Sequence, residues 1–110
     1  MQAEPGSIHE MQSEVFKAIG HPIRLRIVKF LADGEHPVHD IVRAVGAEQS
    51  NVSRHLSLLK QAGVLANRKA GLQVYYRVNS PEMVKALGCV FTCVEAMART
   101  RAQAGGSAGG

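Results

Sequence analysis

The 110-residue sequence predicts a mainly α-helical chain interrupted once by a β-hairpin. Three observations carry this expectation. Five segments repeat apolar residues at helical spacing between start and stop signals. One stretch, "VLANRKAGLQVYYRVN", changes to a period of two. Two of the helices are separated only by Gly46-Ala47-Glu48, which leaves room for a tight turn and nothing longer.

Residues 1–7, with Pro5 and Gly6, read as a flexible N-terminus, and Ser7 can cap the first helix. In that helix Ile8, Met11, Val15, Ala18 and Ile19 share a face, and Gly20 stops it. Pro22 suits the first turn of the second helix, with His21 before it as a cap. Ile23, Ile27, Val28, Phe30 and Leu31 form its apolar side, while Arg24, Arg26 and Lys29 point elsewhere, and Asp33-Gly34 ends it. A short helix covers about 38–45 and stops at Gly46. Another covers about 49–61, with Val52, Leu56 and Leu59 on one face and Gly63 as its C-terminal cap. These two helices and their turn form a helix-turn-helix.

The hairpin comes next. Val74, Tyr76 and Val78 alternate with Gln73, Tyr75 and Arg77, and "NRKAG" makes a basic tip. A hairpin after a helix-turn-helix gives the expected architecture, a winged helix-turn-helix. Ser80-Pro81 starts a last helix over about 82–101, so the folded domain should span 8–101. Residues 102–110, ending in "AGGSAGG", read as a flexible Gly/Ala/Ser tail.

Composition narrows the function. Hydrophobic residues at 45% and charged residues at 20% place the chain among globular rather than disordered proteins. A core this small favours pairing with a second copy. The net charge of +4 is compatible with nucleic acid. No apolar run approaches the roughly 20 residues of a membrane span. "MQAEPGSIHEM" lacks the basic-then-apolar order of a secretory signal, and two cysteines are too few for a disulfide framework, so a cytoplasmic location is expected. The chain has no Cys-x-x-Cys motif, no glycine-rich phosphate loop and no acid/base pair at useful spacing, so it is not expected to be an enzyme. Two competing classes are a small thiol oxidoreductase and a winged helix used only for protein contacts. Disulfide turnover would mark the first, and DNA binding that weakens steeply with salt would exclude the second.

The second helix of the pair begins "QSNVSRHLSLLKQAG". Gln49, Ser50, Asn51, Ser53, Arg54 and His55 supply short or planar donors and acceptors, the groups that reach base edges and phosphates when a helix end enters a major groove. Arg68 and Lys69, read at the hairpin tip, are placed to grip the phosphate backbone beside that groove. The expected partner is double-stranded operator DNA, with no membrane.

"AIGHPIRLRIVKFL", "VSRHLSLLKQAGVL" and "RKAGLQVYYRVN" resemble the ArsR/SmtB family of bacterial winged-helix repressors, over roughly residues 11–98. The resemblance implies a homodimer held by the first and last helices, an inverted-repeat operator, and loss of DNA affinity when an inducer binds. The inducers it implies are thiophilic metals or metalloids, oxidants or sulfur species. The last helix supports the dimer independently. Val84, Leu87, Phe91, Val94 and Ala98 make one apolar stripe, and Met83, Ala86, Val90, Cys93 and Met97 a second beside it. Together they are wider than one small domain needs.

Cys89 and Cys93 are the only cysteines. Cys93 lies at the margin of the apolar arc and Cys89 just outside it, and Glu82 shares their stripe at spacings of seven and four. Three readings stand. The pair ligates a soft ion such as As(III), Cd(II) or Zn(II), as an inducer and not an obligatory cofactor. The pair reacts with an oxidant or a sulfane sulfur donor. Or the two pack as small apolar residues. Two thiolates are not a complete site, so Glu82 or a histidine would have to join, and His9 on the first helix is the best-placed histidine. Relatives that bind arsenic or lead through a Cys-x-Cys pair before the recognition helix carry it where this chain has Pro37 and His39, so that site is absent. Relatives that bind zinc across paired last helices carry Asp, His, His and Glu where this chain has Ser80, Glu82, Cys93 and Ala96, which argues against a standard zinc site.

Overall fold

Ser7 opens α1, Ile8–Ile19, by accepting a hydrogen bond from the Glu10 amide at 3.2 Å. That amide has no partner inside the first turn, so the cap supplies one. The computed structural model describes residues 7–109, the last five by backbone alone. The flexible segment expected at the N-terminus therefore lies, except for Ser7, outside the described residues. The described chain divides into two compact units, one ending at Asn79 and one beginning at Ser80.

In the first unit α2, Pro22–Leu31, starts at His21, whose Nδ1 accepts from the Ile23 amide at 3.1 Å. After α2 comes α3, Val38–Val45, which stops at Gly46 with φ of 73°, a left-handed conformation that glycine adopts without strain. Three residues later α4 covers Gln49–Gln61. Its end is a Schellman turn: the Val64 amide donates to the Leu59 carbonyl and the Gly63 amide to the Lys60 carbonyl, both at 3.0 Å, with Gly63 at φ 85°. The core is built from Ile27, Val28 and Leu31 of α2, Ile41 of α3, Val52, Leu56 and Leu59 of α4, and Val64 and Leu65 beyond it. Burying each such side chain fully is worth about 1.5–3 kcal/mol.

The hairpin strands are β2, Leu65–Ala70, and β3, Gln73–Val78. A third strand, β1, is only His36–Pro37 and pairs with Tyr76 and Tyr75 of β3. The sheet is antiparallel in the order β1-β3-β2. Sequence periodicity predicted no β1, because two residues cannot show alternation. The structure also moves the hairpin turn. Ala70 pairs with Gln73, so the turn is Gly71-Leu72, and Arg68 and Lys69 stand within β2 opposite Tyr75 and Val74 rather than at the tip.

The second unit is α5, Pro81–Gly109. The Ser80 hydroxyl accepts from the Met83 amide at 3.1 Å and starts the helix. It continues past Arg101, where the sequence predicts its end, to Gly109. Ala102, Gln103 and Ala104 favour helix, and no proline follows to stop it. No helix among the described residues is long and apolar enough to cross a membrane.

Candidate nucleic-acid interface

Core packing decides which side of α4 is free. Val52, Leu56 and Leu59 are buried to 1% exposure or less and hold the helix inward. Gln49, Ser50, Ser53 and Arg54 are exposed, and Asn51 is half-buried. Asn51 Oδ1 accepts from Arg54 Nη2 at 3.1 Å, which orders the guanidinium along the helix surface. The polar face expected to meet DNA is therefore present for five of its six residues.

The sixth, His55, requires a correction. It is 3% exposed and faces the interior. Its Nδ1 lies 3.4 Å from Arg24 Nη1, and its ring centroid is 4.6 Å from that of His21. Positions 52, 55, 56 and 59 form the helical core stripe, so spacing places His55 inward, whereas its polar side chain had suggested the groove. Burial holds its imidazole below the usual histidine range, and the charges of His21, Arg24 and Arg54 add to the effect. Arg24, which the sequence left pointing elsewhere, donates from Nε to the Ala18 carbonyl at 2.6 Å. One guanidinium thus links the end of α1 to the inner side of α4.

The hairpin brings different groups than expected. Arg68 donates from Nε and Nη2 to the two carboxylate oxygens of Glu35 at 2.8 and 2.7 Å, and its guanidinium carbon lies 4.7 Å from the centre of the Tyr75 ring. Lys69 is exposed. Leu72, fully exposed at the turn, joins Gln73, His39, Gln49 and Ser53 along one groove, so the hairpin turn, the start of α3 and the start of α4 border the same concavity. The sequence gives no reason to join His39, Leu72 and Gln73 to α4, because they lie far from it along the chain or beyond its end; the fold makes them its neighbours.

On α5 both cysteines are exposed, and with Lys85, Gly88 and Thr92 they line an open depression. Glu82 on the same helix and His9 on α1 are exposed as well. Among the described residues no group of three or more His, Cys, Asp or Glu side chains could hold a metal ion. The stripe of Glu82, Cys89 and Cys93 therefore does not form a ligand cluster within one chain.

Comparison with known proteins places this geometry. Residues 21–66 match the family described as bacterial regulatory protein, arsR family. The chain is 34% identical over 88 residues to an uncharacterized HTH-type transcriptional regulator of Mycobacterium tuberculosis, covering 79% of this chain and 75% of that protein. It is 36% identical over 74 residues to the HTH-type transcriptional repressor SmtB of M. tuberculosis, covering 67% and 55%. Among solved structures it resembles M. tuberculosis Rv0081, with a TM-score of 0.77, 30% identity, and 91% and 99% of the two chains covered. It also resembles the homodimeric winged helix-turn-helix DNA-binding domain of a Mycobacterium bovis protein, with a TM-score of 0.80, 25% identity, and 91% and 95% covered. Its fold and its relatives agree: the chain belongs to the ArsR family, as a winged helix-turn-helix transcriptional regulator and not an enzyme.

Proposed function

We propose that this chain is a homodimeric repressor that holds inverted-repeat operator DNA with the exposed face of α4 and releases it when Cys89 and Cys93 bind a thiophilic ion. The observation that carries the DNA reading is the sorting of α4: Val52, Leu56 and Leu59 are anchored, while Gln49, Ser50, Ser53 and Arg54 stay exposed beside the hairpin groove. Planar and hydroxyl side chains at the start of a helix are the equipment of major-groove readout.

Exposed apolar side chains support the dimer. On α1 these are Ile8, Met11 and Phe16, and on α5 they are Val90, Val94 and Met97. Each helix thus carries three large apolar side chains that its own chain leaves uncovered. The M. bovis relative is described as a homodimer. Two copies would place their α4 helices in successive major grooves, about 34–36 Å apart.

Two exposed thiols one helical turn apart suit As(III), Cd(II) or Zn(II), which prefer sulfur. Further ligands would have to come from a second copy, from its Glu82 or its His9. The ion favours release only through its greater affinity for a dimer geometry whose half-site spacing no longer fits. The exposure of both thiols also supports a second reading, reaction with an oxidant or a sulfane sulfur donor, since small oxidants reach exposed cysteines. A direct Cys89–Cys93 disulfide would distort α5, because residues four apart hold Cβ atoms about 5–6 Å apart where a disulfide needs about 3.5–4.5 Å.

Titration of the protein–operator complex separates these readings. Reduced protein is treated with As(III), Cd(II) and Zn(II), then with hydrogen peroxide and a polysulfide, beside Cys89→Ser and Cys93→Ser. The proposal expects release by a metal or metalloid and loss of that release in both variants, with operator binding intact. Release by oxidant or polysulfide alone would replace it with the thiol switch. A Cys89→Ser protein that still responds would end both.

A further inference from the structure

We infer that Glu35 and Arg68 form a strut that fixes the hairpin against the helix-turn-helix, so that Arg68 positions the DNA-binding surface instead of touching DNA. The inference rests on the proposed reading of α4 and the hairpin as that surface. Its basis is where the pair sits in the sheet. Glu35 immediately precedes β1 on one edge, and Arg68 lies on β2 at the other. The ion pair therefore spans the central strand, β3, and the guanidinium stacks on Tyr75 as it crosses.

The pair joins two parts that backbone pairing holds weakly. β1 has two residues, one of them a proline with no amide to donate. The residue after β1, Val38, begins α3, whose end sets the turn into α4. A shift of the hairpin relative to this segment would move the groove shared by Gln73, His39, Gln49 and Ser53. The strut resists that shift with two parallel charge-assisted hydrogen bonds and one ring face.

Arg68 is correspondingly poor equipment for a phosphate. Its Nε and one Nη are occupied, and a phosphate would have to approach with the Glu35 carboxylate already in place. Arg68 holds the Glu35 carboxyl below the usual carboxylate range, so the pair stays ionised at neutral pH. Lys69 is different. As the next residue on β2 it points to the other face of the strand, and it remains exposed for a backbone contact.

The test uses a duplex selected from a random-sequence pool by the wild-type protein. Its binding is measured across a salt series for Glu35→Gln, Arg68→Gln, the double variant and Lys69→Gln. The strut predicts that each of the first two weakens binding about three- to tenfold, and that the double variant is no weaker than either single one. It also predicts that Arg68→Gln leaves the salt slope unchanged while Lys69→Gln lowers it by about two, roughly one for each half-site of the dimer. Tighter binding by Glu35→Gln, with a slope lowered by about two in Arg68→Gln, would make Arg68 a phosphate contact and overturn the inference. Amide exchange in the free protein supplies a readout that survives failure of the DNA reading. Glu35→Gln should speed exchange at the β1–β3 and β2–β3 amides relative to α4, and unchanged exchange would also overturn it.

Discussion

Arg54 and His55 are neighbours in sequence with opposite surroundings, which makes them a sharp test of how α4 is oriented. Arg54 is exposed, and its guanidinium donates to Asn51 on the same helix. Arg54→Ala should therefore change thermal stability by no more than about 0.5 kcal/mol. Losing a phosphate or base contact costs about 1–3 kcal/mol per half-site. Counted over two half-sites, operator affinity should fall at least about 30-fold. His55 is 3% exposed and packed between His21 and Arg24. His55→Ala removes a buried ring and leaves a cavity, a loss on the order of 2–4 kcal/mol. For a domain of this size the melting temperature should drop by at least about 8 °C at fixed protein concentration. The folded His55→Ala protein should bind operator within about threefold of wild type. Calorimetry and fluorescence anisotropy of the two variants measure both quantities. A His55→Ala protein with unchanged melting temperature but operator binding lowered tenfold or more would put the imidazole at the DNA and refute the packing argument.

Two further outcomes follow from the same structure. Burial, as the leading cause, holds the folded-state pKa of His55 below that of a histidine in the unfolded chain. The unfolded chain then binds more protons over that interval, so stability should fall as pH drops below about 6.5, and urea denaturation across that range should show the fall diminished in His55→Gln. Phe16 is 71% exposed on α1, the helix assigned to the dimer. Phe16→Glu should shift sedimentation from dimer towards monomer with the helical signal retained; an unchanged dimer would take Phe16 out of the interface.

Much of the fold was legible because the signals were local. Helix capping by Ser7 and His21, the glycine stops at Gly46 and Gly63, and the apolar faces of α2 and α4 each depend on residues within a few positions of one another. What escaped the sequence depends on distant partners. β1 exists because His36 and Pro37 meet Tyr76 and Tyr75 some forty residues on. Arg68 read as a free cation until Glu35, 33 residues away, occupied it. Residue type points His55 to the groove, whereas its spacing from Val52 and Leu59 points it inward, where it is buried. Five of the six α4 candidates remain on the open face because amphipathic periodicity fixes which side of a helix is free.

The central claim is that the open face of α4 reads a major groove in duplex DNA. Dimethyl sulfate footprinting of a selected duplex tests it most directly, because the reagent modifies guanine N7 in that groove. The account predicts two protected patches related by an inverted repeat, with centres about one helical turn apart or a multiple of it. Saturating protein that leaves every guanine N7 reactive would contradict it.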